Sequence, residues 1–131
     1  MVLILVGIFK FLKNKVKELF VTSKEESVLS KIKEWSSMKK MSEVCGFVGK
    51  KGDEYTVLLC ENKSKTPRAT FFIDPIDYLL FVEDYETVMS FHSHITGDEK
   101  VSEKDVIMSE NSCLPFLIYS LSTKKNSLYV P

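Results

Sequence analysis

Five residues of this chain have the types and spacing that metal-assisted water chemistry requires. His92-Ser93-His94 is followed by seven residues, Ser102, two residues and Asp105, and these are the chain's only 2 histidines. On a strand, side chains at i and i+2 share a face, so both imidazoles can converge on one ion. Asp105 would add a carboxylate oxygen from the first turn of the next helix. Two nitrogens and one oxygen leave the fourth tetrahedral position of zinc for water, which is the pattern of a catalytic site rather than a closed structural one. No cysteine lies near enough in sequence to close it. Glu43, just ahead of Cys45-Gly46 and an apolar run, is the candidate base that takes a proton from water and passes it to a leaving amine. Ser102 is the candidate donor to a developing oxyanion. It also suits a helix N-cap, and the two roles are compatible.

The elements that must position these residues follow from local pattern. Thr87–Phe91 is apolar and reads as a strand ending at the histidines. Ile95–Val101 contains Gly97-Asp98 and reads as a loop; Ser102 with Asp105 three residues later has capping-box spacing, which predicts a helix to about Asn111. Val44–Gly49 and Glu54–Cys60, separated by Lys51-Gly52-Asp53, predict a hairpin that starts beside Glu43. Ala69–Ile73 reads as a further short strand, and Asp74-Pro75 as the start of a helix through Val82. Ser23 with Glu26 suggests a capping box for a helix over 24–41, whose apolar face is Val28, Leu29, Ile32, Trp35 and Met38. Pro115–Leu121 and Ser127–Val130 read as the last strands. The fold class is mixed α/β, a central, mostly antiparallel sheet with flanking helices.

The bulk properties agree with one domain. The 131 residues are 44% apolar and 27% charged, ordinary for a globular protein with a real core. Lys plus Arg and Asp plus Glu both number 18, so no global basic field recruits nucleic acid, and no nucleic-acid partner is expected. Cys45, Cys60 and Cys113 are odd in number and lack CxxC spacing, which points to reduced thiols and a cytoplasmic setting. Residues 1–23 form a separate apolar and lysine-rich segment ahead of a domain over 24–131. Its stretch Val2–Val21 reads as an amphipathic helix with a lysine-rich face. Packing against the domain is its favoured role, ahead of membrane-surface contact, and pairing of two copies as a homodimer is open. The apolar run Met1–Phe9 falls short of the roughly 20 residues a membrane span needs. Without a positive n-region or a small-residue cleavage site, it does not read as a signal peptide.

Glu43, His92, His94, Ser102 and Asp105 together resemble the JAMM motif of the JAB/MPN-domain zinc metalloproteases: an upstream glutamate, HxH, seven residues, Ser, two residues, Asp. The likeness extends to Glu43–Gly49, to Leu59–Pro75 with Asn62, Pro67, Phe71 and Pro75, and to Pro115–Leu121, covering about residues 40–130. One departure is Ile95, where the family usually has proline. The resemblance implies a minimal, prokaryotic or phage-type JAB/MPN domain with a cytidine-deaminase-like sheet. It implies one Zn2+ per chain on His92, His94 and Asp105, Glu43 as proton carrier, and Ser102 at the tetrahedral intermediate. It further implies a peptidase or isopeptidase, removing ubiquitin-like or sulfur-carrier-type proteins from amines, with 67–73 lining the groove for an extended tail. Three alternatives remain: a peptidase of the same zinc chemistry acting on small peptides, a sulfur-carrier's aminoacyl adduct, or phage tail or cell-wall material; a non-catalytic, partner-binding domain of the same fold; and a RadC-like, DNA-associated protein whose HxHxxGDxxxSxxD string His92–Asp105 also fits.

Overall fold

Residues 18–131 are described by the computed structural model. Along them run β1 (Glu18–Thr22), α1 (Glu25–Met38), β2 (Cys45–Lys51), β3 (Glu54–Cys60), α2 (Pro75–Asp84), β4 (Glu86–His94), α3 (Glu103–Ser112), β5 (Phe116–Ser120) and β6 (Asn126–Tyr129). The six strands form one sheet in the order β1-β3-β2-β4-β5-β6. Every neighbouring pair is antiparallel except β4 and β5. The mixed α/β class and the mostly antiparallel sheet thus match expectation. The β2–β3 hairpin turns at Gly52, whose φ of 60° is costly for any residue with a Cβ.

Strand alternation divides the core into two layers. On one face, Val44, Val48, Val57, Leu59, Phe91 and Leu117 pack under Val28, Ile32 and Trp35 of α1. On the other, Phe47, Leu58 and Cys60 meet Phe81 of α2, while Cys45, Phe71 and Phe116 pack with Met108 of α3. His92 and His94 belong to this second face. α3 is the crossover between the parallel strands β4 and β5. Its first turn therefore returns to the carboxyl end of β4, where ligand sites form in such sheets.

Four expectations are corrected. Glu18–Thr22, expected to close an N-terminal helix, instead pair antiparallel with β3, Glu18 opposite Leu59 and Thr22 opposite Tyr55. Phe20 packs on the α1-side core, and the Trp35 indole donates to Glu18 at 2.7 Å. This pairing satisfies the outer edge of β3, which no local pattern registers. The rest of the proposed N-terminal helix lies outside the described residues. The start of α1 is also shifted: Lys24 holds the N-cap position without a side-chain cap, because the chain leaves β1 only at Thr22. Met38, expected on the buried face, is 73% exposed. Finally, Ala69–Ile73 forms no strand. Asn62 captures its backbone instead, through Thr70 and Phe72.

Gly46 shows how tightly the sheet is packed behind the site. A Cβ there would lie 1.8 Å from the Leu58 carbonyl oxygen and 2.6 Å from the Phe91 ring. The carbonyl belongs to β3 and cannot retreat without opening the β2–β3 ladder. Gly46→Ala is expected to cost at least about 3 kcal/mol, the upper part of the usual overpacking range. A urea-unfolding midpoint equal to that of the unchanged protein would refute the contact.

Candidate metal centre

β4 delivers His92 and His94 from the end of the sheet, fixed on both sides by pairing. His92 lies opposite Cys45 of β2 and Ile118 of β5, and the His94 carbonyl accepts from Leu121 N–H at 2.9 Å. Between them, Ser93 turns to the other face, where its hydroxyl accepts from Val44 N–H at 2.8 Å. This bond ties the strand end to the residue after Glu43. Asp105 occupies the N3 position of α3 in a full capping box. Its N–H donates to Ser102 Oγ at 3.1 Å, and its Oδ2 accepts from Ser102 N–H at 3.3 Å.

The same Oδ2 lies 3.2 Å from His92 Nε2 and 3.1 Å from His94 Nε2. One ligand atom from each of the three residues falls within 4.8 Å of the others. Zinc–ligand bonds of about 2.0–2.1 Å in a tetrahedron separate neighbouring donors by about 3.3 Å, close to both contacts. His94 Nδ1 lies 2.8 Å from the Asp98 carbonyl, which can only accept, so Nδ1 carries a proton. The Nε2 contact to Asp105 raises the His94 pKa, so without a metal a protonated ring donates to the carboxylate, and with one the Nε2 lone pair faces the ion. His92 is fully buried, and burial lowers its pKa and disfavours the imidazolium. Neither of its ring nitrogens has a hydrogen-bond partner among the described residues, since the Asp105 contact has the distance but not the angle. A zinc ion in place of the Nε2 proton would take the same nitrogen and carboxylate atoms. Zinc fits this set. His92 lacks the carbonyl acceptor that His94 has; packing orients it instead, stacked on Phe71 at 4.4 Å and edge-on to Phe116 at 5.7 Å.

Electrostatics separate the two acids of the site. Burial alone would raise the Asp105 pKa, but its contacts to His92 and His94 outweigh that and hold the carboxyl far below the carboxylate range. Glu43 is 5% exposed, and burial pushes its pKa up to about 7, with Asp105 adding to the rise and His94 and Lys104 opposing it. One carboxylate is thus held ionised, and the other is poised to gain or lose a proton near neutral pH.

Glu43, His94, Ser102 and Asp105 all line one open pocket of about 440 Å³, and buried His92 joins them through its contact to Asp105. All five residues singled out in the sequence therefore meet in one place. Arg68–Phe71, within the segment expected to line a groove, form part of its wall. The pattern did not reveal what holds that wall. Asn62 Nδ2 donates to the carbonyls of Glu43 and Thr70 at 3.0 Å each, and its Oδ1 accepts from Ser64 N–H at 3.0 Å and Phe72 N–H at 3.1 Å. The Glu43 N–H also donates to the Pro67 carbonyl at 2.7 Å. One amide side chain thus fastens the wall to the backbone of Glu43. Asn62→Ala strips several part-buried groups of partners and is expected to cost roughly 2–4 kcal/mol. Urea unfolding checks this, and a loss below about 0.5 kcal/mol would refute the role.

No family model and no curated protein sequence matches this chain. Among solved structures it is similar to the solution structure of protein DSY2949 from Desulfitobacterium hafniense, with a TM-score of 0.61 and 23% identity over 78% of this chain and 77% of that one. The likeness is one of fold.

Proposed function

We propose that the protein is a zinc-dependent hydrolase of peptide or isopeptide bonds of the JAMM type, acting on ubiquitin-like or sulfur-carrier-type tails joined to amines. The observation that carries this reading is the convergence of His92, His94 and Asp105 beside Glu43 in one open pocket. His92, His94 and Asp105 would hold zinc, which when bound supplies a Lewis acid for the scissile carbonyl and acidifies a water. Glu43 accepts the proton of the attacking water and returns it to the leaving nitrogen; a pKa near 7 suits both transfers. Ser102 accepts the Asp105 N–H through its oxygen lone pair, and its own hydroxyl proton has no acceptor among the described residues. That proton is free to reach an oxyanion formed at the carbonyl. Asp105, neighbouring both histidines, fixes the ligand geometry from a rigid helix start.

Metal analysis of purified protein, before and after adding zinc, tests the reading together with turnover on Gly-Gly isopeptide substrates. About one zinc per chain with cleavage supports it. A chain that takes up no added zinc would instead be a partner-binding domain. No helix among the described residues is long and apolar enough to cross a membrane.

A further inference from the structure

The pocket carries charge that the water chemistry does not use. Arg68, Lys100 and Lys104 line it together with the site residues. They arrive from two sides, Arg68 from the segment before α2, and Lys100 and Lys104 from the approach to α3 and its first turn. All three are exposed, and none has an ion-pair partner among the described residues. The opposing acids of the lining are Glu43, Asp98 and Asp105. Zinc would offset Glu43 and Asp105, leaving Asp98 alone against three cations. Asp98 is itself engaged, its Oδ1 accepting the Lys100 N–H at 3.0 Å. Lys104 acts electrostatically on Glu43, so its charge is felt at the reacting end of the pocket. α3 adds the positive end of a ten-residue helix there, with the Glu103 and Lys104 N–H groups lacking acceptors among the described residues.

We infer that this pocket selects substrates bearing a carboxylate close to the scissile amide, held by Arg68 and Lys104. The inference rests on the hydrolase reading, which locates the bond. Arg68 and Lys104 line the same pocket of about 440 Å³ as Glu43, His94 and Asp105, so an acid held by them lies close to that bond. A guanidinium and an ammonium on one rim suit a carboxylate, and the donor-only character of both disfavours a neutral amide in its place. The acid is either a chain terminus or an Asp or Glu side chain, and the choice of peptides separates these.

The test is calorimetric binding of acetyl-Gly-Gly, acetyl-Gly-Gly-amide and acetyl-Gly-Glu-amide to the full chain, with and without zinc, and to the Arg68→Ala/Lys104→Ala variant. At least one acid is expected to bind about tenfold or more tightly than the neutral amide. That preference should persist without zinc, which separates the rim from direct carboxylate–zinc contact, and should largely vanish in the double variant. Preference for acetyl-Gly-Gly identifies the terminus, and preference for acetyl-Gly-Glu-amide the side chain. Equal binding of acids and amide, or a preference untouched by the double substitution, overturns the inference. A carboxylate preference without any hydrolysis by the zinc-loaded chain would refute the hydrolase reading and leave the rim assignment standing. Equal binding with hydrolysis would do the reverse.

Discussion

Replacing Glu43 by glutamine is expected to abolish hydrolysis while zinc stays bound. Glutamine keeps the shape of the side chain but cannot take a proton from water or return one to a leaving amine. General acid–base catalysis contributes about 10²–10⁴-fold, so turnover should fall by at least about 100-fold. The backbone ties around Glu43 to Asn62 and Pro67 do not involve its carboxyl and survive the change. The metal-free protein provides a control on folding. The Glu43 pKa stands at about 7 in the fold against an ordinary 4.5, because burial disfavours the anion. The protonated form therefore favours the fold, and this contribution is complete below pH 4.5 and lost as pH rises through about 7. At pH 8 the metal-free Glu43→Gln protein should be at least as stable as the unchanged one. Inactivity there cannot be blamed on unfolding. A variant that still cleaves, with zinc in place, removes Glu43 from the proton path.

His94→Ala should empty the site. Of the two histidines it is the cleaner one to remove, because its side chain is 15% exposed while that of His92 is wholly buried. Truncating His92 would open a cavity against Phe71 and Phe116 and mix a stability loss into the result. Losing a ligand should cost more than the 10–100-fold in affinity typical of losing a ligand's hydrogen-bond partner, so zinc per chain should fall from about one to near zero. Metal analysis after dialysis checks this, with circular dichroism to show that the sheet is intact. A full complement of zinc in His94→Ala would refute the ligand assignment. Because His94 also shares Asp105 with His92, the variant should leave α3 in place, started by the Ser102–Asp105 capping box alone.

Four residues of the site were legible because each is fixed by a local period. HxH on a strand end aligns two side chains, and the Ser102–Asp105 spacing both caps a helix and turns the acid toward them. Glu43 was legible only by its place before an apolar run. What brings it beside the two histidines is the pairing of β2 with β4, Cys45 opposite His92. The errors share a physical origin in contacts between distant segments. Glu18–Thr22 is apolar in a way that suits a helix or an edge strand, and the choice is made by β3. Ala69–Ile73 has strand composition, but Asn62 takes the backbone groups that a ladder would use. Arg68 and Lys104 look like ordinary surface charge until the fold brings them around one pocket.

The double duty of Asp105 affects how relatives of this chain should be read. Asp105 and Ser102 start a helix whether or not a metal is ever present, so selection for foldability alone would retain them. His92 is the opposite case. A fully buried imidazole with neither nitrogen hydrogen-bonded is a liability to the fold. In a lineage that had lost its chemistry, an apolar residue would soon replace it. Among diverged sequences, an intact Ser-x-x-Asp is therefore poor testimony of activity, whereas a surviving histidine at position 92 is strong testimony.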